Sequence, residues 1–530
     1  MSNSSFAPPR LPAFEDFLKD QILAEEYVSN KISYLRKKSS WSWLLKEYER
    51  ESQASYLDSE KKRQVITQYN ESYPSQGLIS TCYDAHGYQN CEVERVADGL
   101  LEQTLHAWVY YLELFNHPDR VEALRRISKS TFVPPARPRK AHPVFEAARK
   151  NRHAIAISEL ALTVQGSDKV RTKRTERFKN GPFVKIGRQA RSIFFGSANP
   201  DIWGSVPAVA SMAQAHCLAG IPRDGFFTDP YRQVDFAVKV FEWLEKSPVL
   251  EGRTAADVKF LLDNWRHNVV GVLEAQPEKA LKRVQLLYEV GVRTFRIYSP
   301  EPGTGALVTL KKIREYQKKA KWEPVEIFVG QIVDLAQARA LERAGATGLY
   351  IGIGGGGRCI TGKRSGVAID WPSLVWELRG KTKLPLIIEG GASDYIPQTL
   401  ALGASGIGVT RSVGGATIES PGGLLYFKDP HKQRLFKPYR GEASAGMKFM
   451  GGRSGPFGII PYVEGEATIT WIEYGRDNTP TILQKLYLLM GDAVLGMVFQ
   501  NVSSIRELQQ IGLTSLQKVT PAELDLRLPH

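Results

Sequence analysis

The stretch TGLYIGIGGGGRCITG (347–362) decides the fold: an apolar run passes into four consecutive glycines and then reaches Cys359. The run shows no alternation of apolar and polar residues, as is typical of a parallel β-strand buried on both faces. The glycines allow backbone N–H groups to approach an anion closely. The stretch therefore predicts a buried parallel strand followed by an anion-binding loop that carries a cysteine.

Similar short β-rich runs recur along the second two-thirds of the chain, and each is followed by a segment with helical spacing. They are SIFFGS (192–197), GIPRDGFF (220–227), NVVGVLEA (268–275), VRTFRIYS (292–299), VEIFVGQIV (325–333), TGLYIGIG (347–354), LPLIIEGG (384–391) and GIGVTRS (406–412). Eight strands that alternate with helices predict an α/β protein with a closed (β/α)8 TIM barrel.

The loops after the last three predicted strands are all rich in glycine: GIGGGGRCITG, EGGAS (389–393) and RSVGGAT (411–417). In a barrel these loops share the face that carries the chemistry. Clustered backbone N–H groups next to helix N-termini form a site for anions. Three such loops predict a ligand that bears a phosphate.

The regions before the barrel differ in composition. Apolar residues at three- and four-residue spacing in 12–29, 41–66 and 93–115 predict a helical N-terminal extension over 1–129. The Pro- and Arg-rich segment 130–150 is interpreted as a linker. The barrel domain is assigned to 151–530, with a flap-like segment over 440–475.

Composition indicates a globular, cytoplasmic protein, because the four cysteines are widely spread and match no zinc spacing. The start lacks the features of a signal peptide, and we expect no transmembrane helix because no run of about 18 apolar residues is found. The net charge of +14 favours acidic partners. Nine Lys and Arg residues lie between Lys169 and Arg191, where we weigh a solvated loop against nucleic-acid binding and consider the latter unlikely.

Four motifs resemble the IMP dehydrogenase and GMP reductase family, in the family's order and spacing. GIGGGGRCIT (352–361) is similar to the family loop Gly-x-Gly-Ser-Gly-Ser-x-Cys-x-Thr, and IIEGG (387–391) to I-x-D-G-G. ATIESPGG (416–423) is similar to A-G-T-E-E-S-P-G, and KPYRGEASAGM (437–447) to Y-R-G-M-G-S-x-x-A-M. The chain is identified as a divergent member, without the family's regulatory CBS domains and with the extra helical extension.

The resemblance assigns roles to individual residues. Cys359 matches the nucleophile that forms a covalent adduct with the purine ring. Thr361 matches the threonine that assists leaving-group or water chemistry, and Glu464 matches the flap residue that reads the base edge. The residues implied to bind the nucleotide and its phosphate are Ser197, Gly356, Gly357, Glu389, Gly390, Gly391, Arg411, Ser412, Tyr439, Gly441 and Ser444. The carbonyls of Gly354, Gly356 and Cys359 match those that hold a monovalent cation such as K⁺. The resemblance also implies NAD or NADP(H), a purine nucleotide substrate, and a homo-oligomer, a tetramer.

Several positions depart from the family pattern. Gly357 replaces a serine that binds phosphate, and Gln331 replaces an asparagine. The acid expected after the fourth strand is missing, since the chain has Tyr298 and Ser299 there. The flap lacks the Arg-Tyr pair that activates water in the dehydrogenase, so the reductase is the better comparison. Extra cations crowd the site: Arg358, Lys363, Arg364 and Arg411.

Three hypotheses follow from these motifs and departures. The first is an NAD(P)-linked oxidoreductase that acts on a purine nucleotide, or a related phosphorylated heterocycle, through a Cys359 adduct. The second is a catalytically degenerate barrel that binds an acidic protein partner through its basic N-terminal part, as an assembly protein in a larger complex. The third is a flavin barrel, because FFGSANPDIWG (194–204) resembles segments of FMN-dependent barrel synthases.

Overall fold

The computed structural model describes most of the chain. The described residues are 7–54, 92–137, 143–151, 153–160, 172–299, 304–352, 359–450, 462–474, 478–511 and 515–521.

The N-terminal region is helical, as predicted. It contains α1 (Phe14–Lys19), α2 (Gln21–Leu35), α3 (Ser39–Ala54), β1 (Glu92–Arg95), α4 (Asp98–Phe115) and α5 (Pro118–Lys129). Residues 93–95, expected to be helical, instead form part of β1 because they pair with a strand from the far end of the chain. Aromatic side chains such as Trp41, Tyr48 and Trp108 are buried, and they belong to one hydrophobic cluster with the barrel core.

Between this region and the barrel lie two helices and three strands. They are α6 (Pro143–Asn151), β2 (His153–Leu160), α7 (Arg174–Lys179), β3 (Phe183–Ile186) and β4 (Gln189–Ser192). The part of the expected linker from Pro143 onward is therefore helical, since the VFEAARK sequence supplies apolar residues at helical spacing.

Eight parallel strands close into a barrel, which confirms the predicted fold class. They are β5 (Phe194–Gly196), β6 (Leu218–Ile221), β7 (Val269–Glu274), β8 (Thr294–Tyr298), β9 (Glu326–Gly330), β10 (Gly348–Ile351), β11 (Leu386–Ile388) and β12 (Gly406–Gly408). The closure joins β12 to β5, with Ile407 opposite Phe194. The second strand ends earlier than expected because Pro222 has no N–H to donate and Gly225 adopts a positive φ of 60°.

Helices follow the strands and cover the barrel. They are α8 (Pro200–Trp203), α9 (Val206–Gln214), α10 (Pro230–Glu245), α11 (Ala255–Asn268), α12 (Pro277–Glu289), α13 (Gly305–Lys319), α14 (Leu335–Arg343), α15 (Thr361–Ser365), α16 (Trp371–Leu378), α17 (Ile396–Leu402) and α18 (Thr410–Val413). The remaining elements are β13 (Leu425–Lys428), β14 (Leu435–Arg440), α19 (Ala445–Met450), β15 (Ala467–Trp471), α20 (Ile482–Phe499), α21 (Ile505–Ile511) and β16 (Ser515–Pro521).

A second, antiparallel sheet with the order β1-β13-β14-β15 contains much of the flap-like segment. Tyr439 opposes Thr468 and Arg440 opposes Ala467 in its β14–β15 register. The sheet is tied to the barrel because Arg440 makes a bidentate ion pair with buried Asp201 of α8, at 2.7 and 2.9 Å. The loop that follows β14 is thereby held over the carboxyl ends of the barrel strands.

Helix α20 has the length and mean hydropathy of a membrane span, 18 residues at 1.5, with 44% of that window buried inside the protein. The sequence reading did not identify it because Lys485 and Asp492 interrupt the apolar run. Its Ile482, Leu486 and Met490 are fully buried in the common core. A core helix passes the same length and composition test, so α20 is weak evidence for a membrane span.

The described part of the basic run, 172–191, is neither a solvated loop nor a uniformly basic surface. It forms α7 and the β3–β4 hairpin, and two of its arginines are buried. Arg177 donates to the carbonyl of Val502 at 2.6 Å, and Arg191 pairs with buried Glu326 at the amino-terminal end of the barrel. These arginines stabilise the fold, so they are not available to nucleic acid.

Candidate active site

A cavity of about 940 Å³ opens at the carboxyl ends of the barrel strands, under the loop that follows β14. Its walls come from the loops after β5, β6, β7, β8, β11 and β12, together with residues of the flap-like segment. Cys359, Thr361 and Glu464 all line it. The cavity is large enough for a nucleotide and part of a second ligand, since sites for small molecules measure roughly 300–1,000 Å³.

Cys359 begins a hydrogen-bonded chain of three side chains. Its Sγ donates to Oγ1 of Thr361 at 3.1 Å, and that hydroxyl donates to Oε2 of Glu464 at 3.1 Å. The backbone fixes the same arrangement, because the N–H of Ile360 donates to the carbonyl of Glu464 at 2.9 Å and Cys359 forms a β-bridge with Gly465. The flap and the cysteine loop are 103 residues apart in sequence, yet they form one unit.

Glycines and hydroxyl side chains form another part of the cavity wall. Gly390 and Gly391 have φ of 83° and 87°, which an L side chain rarely adopts, so these positions need glycine. Oγ of Ser197 lies 2.7 Å from Oγ1 of Thr410, at the start of α18. Backbone N–H groups and hydroxyls of this kind suit a phosphate.

The sequence-predicted binding residues fall into two groups in the structure. Ser197, Glu389, Gly390, Gly391, Arg411, Tyr439 and Gly441 line the cavity. Ser412 and Ser444 lie behind the wall: Ser412 donates to Ser393 at 2.9 Å, and Ser444 is 1% exposed and bridges Gly465. Gly354, Gly356, Gly357 and Arg358 lie outside the described residues, so the predicted cation site stays a prediction.

A buried ion pair crosses the floor of the cavity. Nη2 of Arg296, on β8, lies 2.5 Å from Oε2 of Glu389 at the end of β11. The guanidinium lies over the rings of Tyr350 and Tyr298, at 4.4 and 4.6 Å from their centroids. Burial raises the pKa of Glu389 above its usual value, while Arg296 acts in the opposite direction. One carboxylate oxygen of Glu389, Oε1, has no hydrogen-bond partner among the described residues.

Sequence reasoning did not identify several charged residues of the cavity wall. These are Arg223, Asp224, Glu274, Arg283, Arg296 and Glu442. The sequence contained one signal for these residues. Arg296 in FRIYS is a charged residue at an inward position of an otherwise apolar barrel strand. The extra cations predicted from the sequence add little positive charge to the cavity. Arg411 lines the cavity but pairs with Asp394, and Lys363 and Arg364 are exposed outside the lining.

Gln331 holds a backbone segment and does not line the cavity. Its side-chain amide donates to the carbonyl of Gly352 at 2.5 Å and accepts from the N–H of Gly352 at 2.6 Å. A Cβ at Gly352 would lie 2.2 Å from the carbonyl oxygen of Glu389, so the two strand ends can approach only with glycine there. Among the described residues, no cluster of three or more His, Cys, Asp or Glu side chains could hold a metal ion.

Comparison with known proteins agrees with this architecture. Residues 43–530 match the model of the IMP dehydrogenase / GMP reductase domain. The chain is 28% identical over 251 residues to inosine-5'-monophosphate dehydrogenase of Aquifex aeolicus, which covers 46% of this chain and 48% of the relative. It is 34% identical over 171 residues to the enzyme of that name from Escherichia coli K12, covering 31% and 33% of the two chains. The matches thus span about half or less of the relatives' length, whereas the family model spans most of this chain. The chain belongs to the IMP dehydrogenase / GMP reductase family.

Proposed function

We propose that this protein is an oxidoreductase of the IMP dehydrogenase and GMP reductase type, which acts on a purine nucleotide through a covalent adduct at Cys359. The observation that carries the proposal is the chain of hydrogen bonds from Cys359 through Thr361 to Glu464 at the wall of a nucleotide-sized cavity. A thiolate is the reactive form of cysteine, and an adjacent base activates it.

The three side chains suit proton transfer. Thr361 takes the thiol proton of Cys359 as it passes its own hydroxyl proton to the carboxylate of Glu464, so charge moves from Glu464 to sulfur and no proton is lost. The thiolate then forms a bond to an electrophilic carbon of the purine ring. In the reductase direction the ring's amino group leaves, and Glu464 returns its proton to that group through Thr361.

The residues at the rim of the cavity fit a dinucleotide cofactor. Lys279 and Lys282 lie on the first turns of α12 and line the cavity as exposed cations, which suits the phosphates of NAD or NADP(H). When bound, the dinucleotide supplies hydride chemistry at the ring carbon. Lys279 and Lys282 would hold its phosphates, while Cys359 keeps the ring carbon in place.

A turnover assay with Cys359→Ala, Thr361→Val and Cys217→Ala tests the proposal. IMP with NAD⁺ and GMP with NADPH are supplied in turn, and absorbance follows the nicotinamide. We expect Cys359→Ala to abolish turnover and Thr361→Val to slow it by about 10²-fold, because proton transfer contributes roughly 10²–10⁴-fold. Cys217 is fully buried away from the cavity and is the matched control, so its variant should keep turnover. Turnover that survives in Cys359→Ala would refute the proposal.

The second candidate is a catalytically degenerate barrel that binds a partner in a complex. The observation that favours it is the cavity wall near β7 and β8, where Tyr298 and Ser299 stand in place of the family's acid. Nucleotide binding with no turnover by the wild-type protein would support this candidate. Co-purification with an acidic protein would support a role as an assembly protein with that partner. A flavin absorbance spectrum of the purified protein would instead support an FMN-binding barrel.

A homo-oligomer is also proposed. Leu488, Leu495 and Phe499 of α20 are 41–60% exposed and fall on one side of the helix, as a surface that packs against another copy would require. Light scattering of the purified chain measures the assembly directly, and a tetramer is the expected result.

A further inference from the structure

Two acidic side chains from distant parts of the chain meet at the cavity wall. Asp224 follows β6 and is 7% exposed, and Glu442 lies in the loop after β14. The loops that carry them pack together: a Cβ at Gly225 would lie 2.9 Å from Sδ of Met447. Both side chains line the cavity, and Asp224 is near enough to Glu442 to raise the pKa of its carboxyl group. Two acidic side chains from separate elements therefore share this wall of the cavity.

The two carboxyl groups favour the protonated form of Glu442. Burial and the neighbouring Asp224 raise the pKa of Glu442 to about 8. The lone pairs of the carboxyl oxygens are hydrogen-bond acceptors. Arg223 fixes its position, with Nε 3.4 Å from Oδ2 of Asp224 and Nη1 donating to the carbonyls of Leu273 and Tyr298 at 2.6 and 3.1 Å.

Glu442 lies close to the reactive thiol along the backbone. It is two residues before Ser444, which bridges Gly465, and Gly465 in turn bridges Cys359. A ring bonded to Cys359 would therefore face the loop that carries Glu442. In the family pattern Y-R-G-M-G-S, the residue at this place is methionine. This chain has a hydrogen-bond acceptor where the family pattern has an apolar side chain.

The same cavity contains buried polar atoms that need a ligand or water. Arg296 is 3% exposed and lines the cavity, and its Nε has no hydrogen-bond partner within the described ranges. Oε1 of Glu389 likewise has no hydrogen-bond partner among the described residues. Because buried polar groups are nearly always hydrogen-bonded in native proteins, these atoms point to a polar ligand in the cavity.

We infer that Asp224 and Glu442 select the ring of the substrate, accepting hydrogen bonds from two adjacent N–H donors of a guanine-type base. A carboxylate matches the ring N–H and exocyclic amino group of guanine, whereas hypoxanthine offers only the ring N–H. The site therefore prefers a guanine-type nucleotide to a hypoxanthine-type nucleotide. This inference rests on the proposed function, since it assumes that a purine nucleotide occupies the cavity.

Calorimetric titration with GMP and IMP tests the inference. The two ligands share ribose and phosphate, so the ratio of their dissociation constants isolates the ring. The wild-type protein should bind GMP at least about 10-fold more tightly than IMP, since a site that leaves buried polar groups unpaired rejects a ligand strongly. Glu442→Met restores the apolar residue of the family pattern and should reduce this ratio to about 2-fold or less, with IMP affinity changed less than GMP affinity.

Glu466→Gln is the matched control, because Glu466 lies in the same flap but outside the cavity lining, and its ratio should equal that of the wild type. Glu442→Ala removes both carboxylate oxygens and serves the same purpose as Glu442→Met if the methionine variant does not fold by circular dichroism. Equal or tighter binding of IMP by the wild type, or a GMP preference that survives in Glu442→Met and Glu442→Ala, overturns the inference and leaves the proposed function standing. Binding of neither nucleotide below 1 mM, which corresponds to about −4.1 kcal/mol, overturns both.

Discussion

Replacement of Arg296 by methionine should destabilise the protein through Glu389, its partner across the barrel floor. Arg296 is 3% exposed and Glu389 15% exposed, so neither charge is solvated by bulk water. Removing one partner of such a pair leaves the other charge buried and uncompensated, which costs about 3–5 kcal/mol. The loss of contacts with Tyr298 and Tyr350 adds roughly 0.5–2 kcal/mol. We therefore expect the free energy of unfolding to fall by about 3.5–7 kcal/mol at pH 8.

The loss of unfolding free energy in Arg296→Met should be larger at pH 8 than at pH 5. Without Arg296, the folded-state pKa of Glu389 rises further above its unfolded value, so the folded state gains a proton that the unfolded state does not hold. Such a group contributes less stability as pH rises, and the deficit of Arg296→Met should therefore shrink between pH 8 and pH 5.

Urea unfolding of the wild type, Arg296→Met, Glu389→Gln and the double variant measures this effect. The double variant should be more stable than Arg296→Met by at least about 2 kcal/mol, because it removes the uncompensated charge. The reasoning is refuted if Arg296→Met lies within about 1 kcal/mol of the wild type, which a solvated ion pair would give. It is also refuted if the second substitution restores no stability.

Two further predictions concern other buried charges. Nζ of Lys437 donates to three backbone carbonyls at 2.8–3.1 Å, so Lys437→Met should lower the free energy of unfolding by about 2–4 kcal/mol in urea titrations; a change below 0.5 kcal/mol would contradict this. Glu442, which faces Asp224, Arg223 and Arg296, keeps its proton in the folded state up to pH about 8. A carboxyl group with a raised folded-state pKa stabilises the fold most at low pH and loses that contribution as pH rises towards 8. Glu442→Gln cannot titrate, so its stability relative to the wild type should improve from pH 5 to pH 8 in thermal unfolding, and a constant difference would contradict the assignment.

Much of the barrel could be predicted because its strands are buried on both faces. A run such as LPLIIEGG shows this as a short continuous apolar segment that ends in glycine. The antiparallel sheet was missed for the opposite reason. Its β1 has the polar sequence EVER and pairs with a strand more than 300 residues away, and no local pattern encodes such a partner.

Some residues of the candidate site could be predicted from the sequence and others could not. Cys359, Thr361 and Glu464 lie in motifs with a family counterpart, and the structure brings them together. Arg296 lies in no such motif, and Glu442 stands where the family motif has methionine. Their importance depends on charges that approach each other only after the barrel closes, and local sequence carries little information about that approach.

The central claim is that a purine nucleotide becomes bonded to Cys359. The most direct measurement mixes the protein with GMP or IMP and its cofactor, quenches with acid during turnover, and determines intact and peptide masses. The account predicts a mass increase of one nucleotide on the peptide that contains Cys359, and none on the Cys217 peptide. Turnover of the nucleotide with Cys359 unmodified at every quench time would contradict it.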